Sequence, residues 1–174
     1  MQQKLKRFLS ILLCVLLIGS VAPMCLAAEG DGVIYISDLT PTSWRMYQSS
    51  SDNAASPYHP SYDTSEDGSP LVIAGVTYAK GVRTHPDGSY PADMVYDVSG
   101  KNCNTFAAVV GKDAAGATNT KVQFVVIGDE KVLAVSPAMF GGESSEITAD
   151  ITGVSTLILR VLDAGDGVGG DSAA

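Results

Sequence analysis

The sequence predicts an all-β domain, a jelly-roll-type β-sandwich, preceded by a short leader. Helical periodicity is hard to find after residue 29, whereas short runs of β-branched and aromatic residues recur along the chain. Glycine, proline, aspartate and serine separate these runs, as in proteins built from strands and tight turns. Roughly eight or nine such runs in a single domain favour two packed sheets over one open sheet.

The N-terminal 28 residues have the pattern of a secretory signal peptide. Lys4, Lys6 and Arg7 precede an apolar run at 8–18, and small residues near Ala27 and Ala28 suit cleavage. The apolar run is too short for a comfortable membrane span. We therefore expect a signal peptide at 1–28, a domain at 29–174, and a secreted protein with no membrane span after cleavage. An uncleaved N-terminal anchor is the alternative.

The net charge of the domain excludes some classes of partner, and its cysteine content excludes an internal disulfide. Three of the 11 basic residues lie in the leader, so the domain keeps eight against 19 acidic residues. Nucleic acid and anionic membrane surfaces are therefore poor partners. Cys14 and Cys25 also lie in the leader, and the remaining Cys103 cannot form an internal disulfide. We expect it to be a small, half-buried residue.

The predicted strands follow from local patterns. They are 33–37, 71–73, 76–78, 94–98, 105–110, 121–127, 131–135, 146–151 and 156–162. Val122, Phe124 and Val126 alternate with other largely apolar residues, which predicts a strand buried on both faces. The pair Gly128-Asp129 predicts a tight, glycine-led turn that joins this strand to 131–135 as a hairpin.

Residues 40–70 are the exception, with no sustained period. They contain the single tryptophan, Trp44, together with His59 and three of the seven tyrosines. Loops of this length are usually functional or disordered, and disorder does not need so many aromatic residues. The composition favours a binding loop, and a linker-like insertion is the alternative.

Motifs of catalysis are absent from the sequence. It contains no Gly-x-Ser-x-Gly, no His-Glu-x-x-His and no Cys-x-x-Cys. Glu143, Glu146 and Asp150 follow or flank a glycine turn, where solvated carboxylates on a sheet edge are the simplest interpretation. We expect no catalytic residues.

Acidic residues near the end of the chain form a candidate cation site. Asp163, Asp166 and Asp171 are spaced by glycines, so three carboxylates could surround a hard cation such as Ca²⁺. An acidic turn whose aspartates accept backbone N–H groups is the alternative.

The segment from Tyr78 to His85 is a candidate for recognition. Strand alternation places Arg83 and His85 on one face, where both could reach a polar ligand such as a sugar. We expect Gly81 to supply backbone freedom at this point. A histidine hydrogen-bonded to backbone beneath a loop is the alternative.

An ordered series of motifs runs through the domain and carries a family resemblance. The pieces are Tyr35-Ile36-Ser37-Asp38-Leu39, Ile73-Ala74-Gly75-Val76-Thr77-Tyr78, Lys80-Gly81-Val82-Arg83-Thr84-His85, Val95-Tyr96-Asp97-Val98, Gly111-Lys112-Asp113 and Val122-Gln123-Phe124-Val125-Val126. In their order and spacing they resemble the NPCBM group of carbohydrate-binding modules, which includes family 51.

The resemblance implies a non-catalytic jelly-roll module that binds galactose-containing or related glycans, often with a structural calcium, and that is attached to secreted bacterial glycoside hydrolases. By motif position it implies Trp44 and His85 as ligand contacts, with Arg83 and Gln48 as weaker candidates. Tyr58 in the long loop completes the candidate set. A structural or adhesion-type protein-interaction sandwich without sugar binding is the alternative function.

Two departures from the family pattern carry expectations of their own. Arg83 stands where the motif usually has glycine, which would block or extend a pocket. The family continues past a motif that begins at Asp171-Ser172-Ala173 with a final strand. We therefore expect a sandwich that is C-terminally truncated, lacks its last strand and leaves an unpaired edge.

Overall fold

The computed structural model describes residues 32–48, 52–53, 59–114, 119–165 and 172–174. From Ile34 onward they belong to one compact all-β unit. It opens with a 3₁₀ turn at Ile36–Asp38. The strands are β1 Ser43–Arg45, β2 Ser61–Tyr62, β3 Leu71–Ile73, β4 Val76–Tyr78, β5 Val82–Arg83, β6 Ala92–Asp97, β7 Thr105–Gly111, β8 Val122–Gly128, β9 Lys131–Val135, β10 Ser144–Asp150 and β11 Thr156–Asp163.

One layer is an antiparallel five-stranded sheet in the order β1-β6-β11-β8-β9. Its inner face carries Met94 and Tyr96 of β6, Leu157 of β11 and Val126 of β8, all at most 2% exposed. Because side chains alternate along a strand, their neighbours in sequence point to the other face. The predicted two-sided burial of β8 is confirmed, since all of its residues except Gln123 are buried.

The second layer is built around β7, which pairs with β10 along its full length. On its other side, Ala173 bridges both Lys112, just after β7, and Thr84, just after β5. The β2–β5 pair is thereby linked to β7, and Ile73 of β3 bridges Asp113. The three C-terminal residues thus lie between β5 and β7 of the second layer.

The hydrophobic core lies between the two layers. β10 presents Ile147 and Ala149 inward, and its intervening residues are exposed, which is the pattern of a sheet with one solvated face. These side chains and Val110 of β7 join one cluster with the inner residues of the five-stranded sheet. Burial of each large apolar side chain contributes about 1.5–3 kcal/mol to the free energy of unfolding. The predicted β-sandwich is therefore confirmed.

Several local predictions need correction. The expected strand at 33–37 is wrong, because Ile36–Asp38 form a 3₁₀ turn. The 40–70 stretch contains two short strands, β1 and β2. The predicted β8–β9 hairpin is confirmed, but its left-handed residues are Asp129 and Glu130, with φ of 45° and 71°. Gly128 lies within β8.

Gly81 has a different role from the one expected. Its φ is not in the left-handed region, and a Cβ atom placed there would lie 2.9 Å from Leu71 Cδ1. A side chain at this position would force Leu71 to shift, so close packing against a buried leucine, rather than a left-handed backbone, favours glycine here.

The last residues of the chain that the structure describes are paired with neighbouring strands. Thr84 and Ala173 exchange backbone hydrogen bonds of 2.8 and 2.9 Å, and Gly111 and Ala174 exchange two of 3.0 Å. Ala173 is fully buried. The C-terminal residues therefore pair on both sides, and the missing last strand and the unpaired edge that it would leave stay predictions.

Cys103 is free and half-buried, as expected. The described residues contain no helix of the length and apolarity that a membrane crossing needs.

Candidate functional site

Two chain segments meet where β1 ends and β6 begins. Residues 44–48 continue out of β1, and residues 83–90 lead from β5 toward β6. The Tyr47 N–H donates to the His85 carbonyl at 2.7 Å, and Arg45 pairs in register with Asp93 at the start of β6. We call residues 44–48 and 83–90 together the two-segment site.

The ring of His85 is fixed within the two-segment site. The side chain is 7% exposed, and its Nδ1 lies 2.9 Å from the Pro86 carbonyl. A carbonyl can only accept a hydrogen bond, so Nδ1 carries the proton in this contact. The ring centroid lies 4.9 Å from that of Tyr47, with the planes at 39°. The structure therefore shows the backbone contact that we gave as the alternative, and the same contact orients the ring.

Trp44 is half-buried and packs against the hydrophobic core. Its register partner Met94 is an inner residue of β6, so the indole lies on the inner face of the sheet. Asn53 holds the backbone of Trp44, because its side-chain oxygen accepts the Trp44 N–H at 2.9 Å and its own N–H donates to the Trp44 carbonyl at 2.8 Å. Ligand contact by Trp44 stays a prediction.

Gln48 is exposed and lies in the turn that follows β1. Its φ of 57° is in the left-handed region, which is uncommon for glutamine. Gln48 is thus an exposed residue at the end of the first segment of the two-segment site, and its contact with a ligand stays a prediction. Tyr58, the remaining predicted contact, lies outside the described residues.

Arg83 is buried, with 1% of its surface exposed. Its Nε donates to Ser172 Oγ at 2.8 Å, and Nη2 pairs with Glu66 at 2.5 Å. Its Nη1 has no hydrogen-bond partner in the described part of the chain. Arg83 thus ties β5 to the C-terminal residues, and it does not share an open face with His85. Its role as a ligand contact stays a prediction.

Sequence reasoning did not single out Arg45, Tyr47 or Tyr90. The guanidinium carbon of Arg45 lies 4.4 Å from the centroid of the Tyr90 ring, and both side chains are half-buried. The available signal was the cluster of aromatic and planar polar residues around Trp44. The partner segment 85–90 could not be found locally, because about 40 residues separate it from β1 in the chain.

The predicted cation site is only partly within the described residues. Asp163 ends β11, and its carboxylate accepts the Gly165 N–H at 3.1 Å. Asp166 and Asp171 lie outside the described residues. No group of three or more potential metal ligands occurs in the described part of the chain. Calcium binding therefore stays a prediction.

A cleft of about 260 Å³ lies at the other end of the five-stranded sheet, by the β8–β9 turn. Its lining includes Asp129, Lys131, Asp150, Thr152 and Val154, and no aromatic side chain. Asp129 accepts the Ser155 and Thr156 N–H groups, so its carboxylate is engaged in holding the turn. Among the described residues, the two-segment site therefore offers the better combination of aromatic and polar groups.

The family of the chain follows from comparison with known sequences. Residues 32–174 match the NPCBM/NEW2 domain, so the chain belongs to this family of carbohydrate-binding modules. The family resemblance found in the motifs is thereby confirmed.

Solved structures agree with this assignment. CBM51 from Clostridium perfringens GH95, solved in complex with methyl-galactose, is 27% identical with a TM-score of 0.67, over 80% of this chain and 93% of that one. The M60 catalytic domain with the CBM51-1 and CBM51-2 domains from Clostridium perfringens ZmpB is 29% identical with a TM-score of 0.65, over 80% of this chain and 14% of that one. A CBM51-2 structure from the same protein, in complex with GlcNAc and including INT domains, is 23% identical with a TM-score of 0.64, over 80% of this chain and 29% of that one, and supports the fold alone.

A curated relative contains a similar segment. The "Putative endo-alpha-N-acetylgalactosaminidase" of Renibacterium salmoninarum is 35% identical over 100 residues. The match spans 57% of this chain but only 6% of that protein. The similarity therefore concerns one module of a much longer chain.

Proposed function

We propose that this protein is an exported, non-catalytic module that binds galactose-containing or related glycans at the two-segment site. The observation that carries the proposal is the Tyr47–His85 ring pair, held by a backbone hydrogen bond beside the exposed Gln48. Sugars present apolar C–H patches to aromatic faces and hydroxyl groups to planar polar side chains. A site with both, fixed before the ligand arrives, avoids part of the entropic cost of binding.

Relatives support the choice of ligand. The 27%-identical module was solved with methyl-galactose, and it is matched over nearly its whole length. The curated relative bears the name of a glycosidase that acts on N-acetylgalactosamine. We therefore propose galactose-type sugars as the first ligands to test, and a glycoside hydrolase as the kind of enzyme with which the module works.

The carboxylates in and next to the two-segment site support a non-catalytic role. Glycoside hydrolysis generally uses two carboxyl groups that face one sugar. Both oxygens of Asp93 are bound by Arg160, at 2.7 and 2.6 Å. Asp87 accepts the Ser89 N–H within its own turn. Both carboxylates therefore already have hydrogen-bond partners within the protein.

Calorimetric titration of the protein with methyl galactoside, N-acetylglucosamine and glucose tests the proposal. We expect a measurable affinity for methyl galactoside, at least tenfold weaker in His85→Ala and weakened in Gln48→Ala. Thr152→Ala, in the cleft at the other end of the sheet, is the matched control and should bind like the unmodified protein. Circular dichroism and melting curves establish that each variant is folded.

The alternative is a structural or adhesion-type sandwich without sugar binding. A folded protein that gives no signal with any of these sugars, and none on a glycan array, would support that alternative. Hydrolysis of a galactoside by the isolated protein, lost in His85→Ala, would contradict the non-catalytic role.

Export is proposed from the leader sequence. The charged start, short apolar run and small residues of 1–28 support cleavage near Ala27 or Ala28. Expression with the leader in a bacterial host should deliver the protein outside the cytoplasm, with a mass that lacks about 28 residues. Recovery of the full-length chain in the membrane fraction would indicate an anchor instead.

A further inference from the structure

Among the described residues, Arg45 has no acidic partner. Its guanidinium stacks on Tyr90, and its Nε is buried with no hydrogen-bond partner. The other two arginines of the described residues are paired with carboxylates, Arg83 with Glu66 and Arg160 with Asp93. Arg45 has no such pairing within the described part of the chain.

The carboxylate that lies opposite Arg45 on the neighbouring strand, Asp93, forms an ion pair with another arginine. Asp93 lies between Arg45 of β1 and Arg160 of β11 across the sheet. Arg160 binds it in a bidentate manner, through Nε at 2.7 Å and Nη2 at 2.6 Å. Arg160 therefore contacts both oxygens of the acid that register places beside Arg45, and no ion pair joins this acid to Arg45.

A half-buried, unpaired guanidinium is unfavourable unless something offsets its lost hydration. Stacking on the face of Tyr90 offsets part of the lost hydration, because a cation over an aromatic ring gains about 0.5–2 kcal/mol. Stacking also fixes the plane of the guanidinium, whose N–H groups match the two oxygens of a carboxylate or a sulfate. The chain carries a net charge of −8, so a general attraction for anions does not explain this residue.

Arg45 belongs to the two-segment site. It lies two residues before Tyr47, and Tyr90 lies five residues after His85, so the Arg45–Tyr90 and Tyr47–His85 contacts join the same two segments. We propose that Arg45 recognises an anionic substituent, a carboxylate or a sulfate ester, on the galactose-type sugar bound at this site. This inference rests on the proposed function and names the class of glycan.

The test compares sugars that differ in one substituent. Methyl galactoside is neutral, methyl galacturonoside replaces its C6 hydroxymethyl group by a carboxylate, and methyl galactoside 6-sulfate carries a sulfate ester there. Binding is measured by calorimetry and by the fluorescence of Trp44, the single tryptophan. We expect at least one acidic sugar to bind about tenfold more tightly than the neutral one, and the two acidic arms identify the group.

Variants assign this preference to Arg45. In Arg45→Gln the acidic and neutral sugars should bind alike, whereas Arg45→Lys should keep part of the preference, because it keeps the charge but not the planar fork. Lys131→Gln removes the same charge from an exposed position at the other end of the sheet, and should keep the full preference.

The outcomes separate the two proposals. Equal affinity for acidic and neutral sugars, or a preference that survives in Arg45→Gln, overturns the role of Arg45 and leaves the proposed function standing. Absence of binding to all three sugars by the folded protein overturns the proposed function, and the role of Arg45 with it.

Discussion

Gln48 shows how a single residue at the site carries a conformational cost. Its φ of 57° costs a residue with a side chain about 1–2 kcal/mol relative to the right-handed region. We expect Gln48→Gly to raise the free energy of unfolding by about 1 kcal/mol, because glycine adopts this conformation freely. Urea denaturation measures the change. Gln48→Ala, which keeps the cost, should not stabilise the protein, and a loss of stability in Gln48→Gly would show that the side chain holds the turn.

Tyr96 shows a second residue-scale effect, inside the core. The side chain is fully buried, and its hydroxyl has no hydrogen-bond partner among the described residues. Burial raises the pKa of this phenol, so it stays neutral at all ordinary pH values. A buried hydroxyl without a partner costs about 1–3 kcal/mol, so we expect Tyr96→Phe to stabilise the protein by about 1 kcal/mol. Tyr78→Phe, at a half-buried position, is the control and should change little. Destabilisation by Tyr96→Phe would reveal a partner for the hydroxyl.

At the scale of elements, the C-terminal residues act as a short central strand. Residues 172–174 make five backbone hydrogen bonds, to Thr84, Gly111 and Asp113, and Ser172 accepts a further one from Arg83. Each such bond contributes about 0.5–1.5 kcal/mol net. Deletion of 172–174 should therefore lower the free energy of unfolding by several kcal/mol, measured by thermal or urea denaturation. Ser172→Ala leaves the buried Arg83 Nε without its acceptor and should cost about 1.5–3 kcal/mol. Equal melting of the deletion variant and the unmodified protein would contradict this role.

At the scale of the whole molecule, stability depends on acidic side chains in turns. A hydrogen bond from the Ser99 side chain, aided by its backbone N–H, lowers the pKa of Asp97, and the Thr152 N–H lowers that of Asp150. Their ordinary value is 3.8. A carboxylate with a lowered folded-state pKa stabilises the fold above pH 3.8, and that stabilisation is lost as the pH falls through the folded-state value. We expect the melting temperature to be flat from pH 7 to 5 and to fall below about pH 4. Asp97→Asn should weaken this acid dependence, and an unchanged dependence would assign it to other groups.

Calcium is a second property of the whole molecule. If Asp163 and its neighbours in sequence hold Ca²⁺, added calcium should raise the melting temperature and a chelator should lower it, because a ligand of the folded state stabilises it by mass action. Asp163→Asn should remove the difference. Identical melting with calcium and with chelator, in a chelator-treated protein, would exclude a structural calcium.

The sequence alone determined the class of fold, most strand positions and the family. β8, β9 and β11 follow from alternation of apolar side chains within a single run, so local pattern was sufficient to place them. It failed at 33–37, where apolar residues suited a strand but the chain forms a 3₁₀ turn, and at Gly81, where the constraint is contact with Leu71 and not the local backbone.

Only the tertiary structure decided which segments meet at the candidate site and where the C-terminal residues pair. Tyr47 meets His85, Arg45 meets Tyr90, and Ser172–Ala174 enter the second layer between β5 and β7, because sheet pairing brings together segments that are distant in the chain. Arg83 resembled a ligand contact in the sequence, but its side chain is buried against Glu66 and Ser172. Alternation along a strand predicts which side chains share a face, whereas the packing of the other layer decides which of those faces reach solvent.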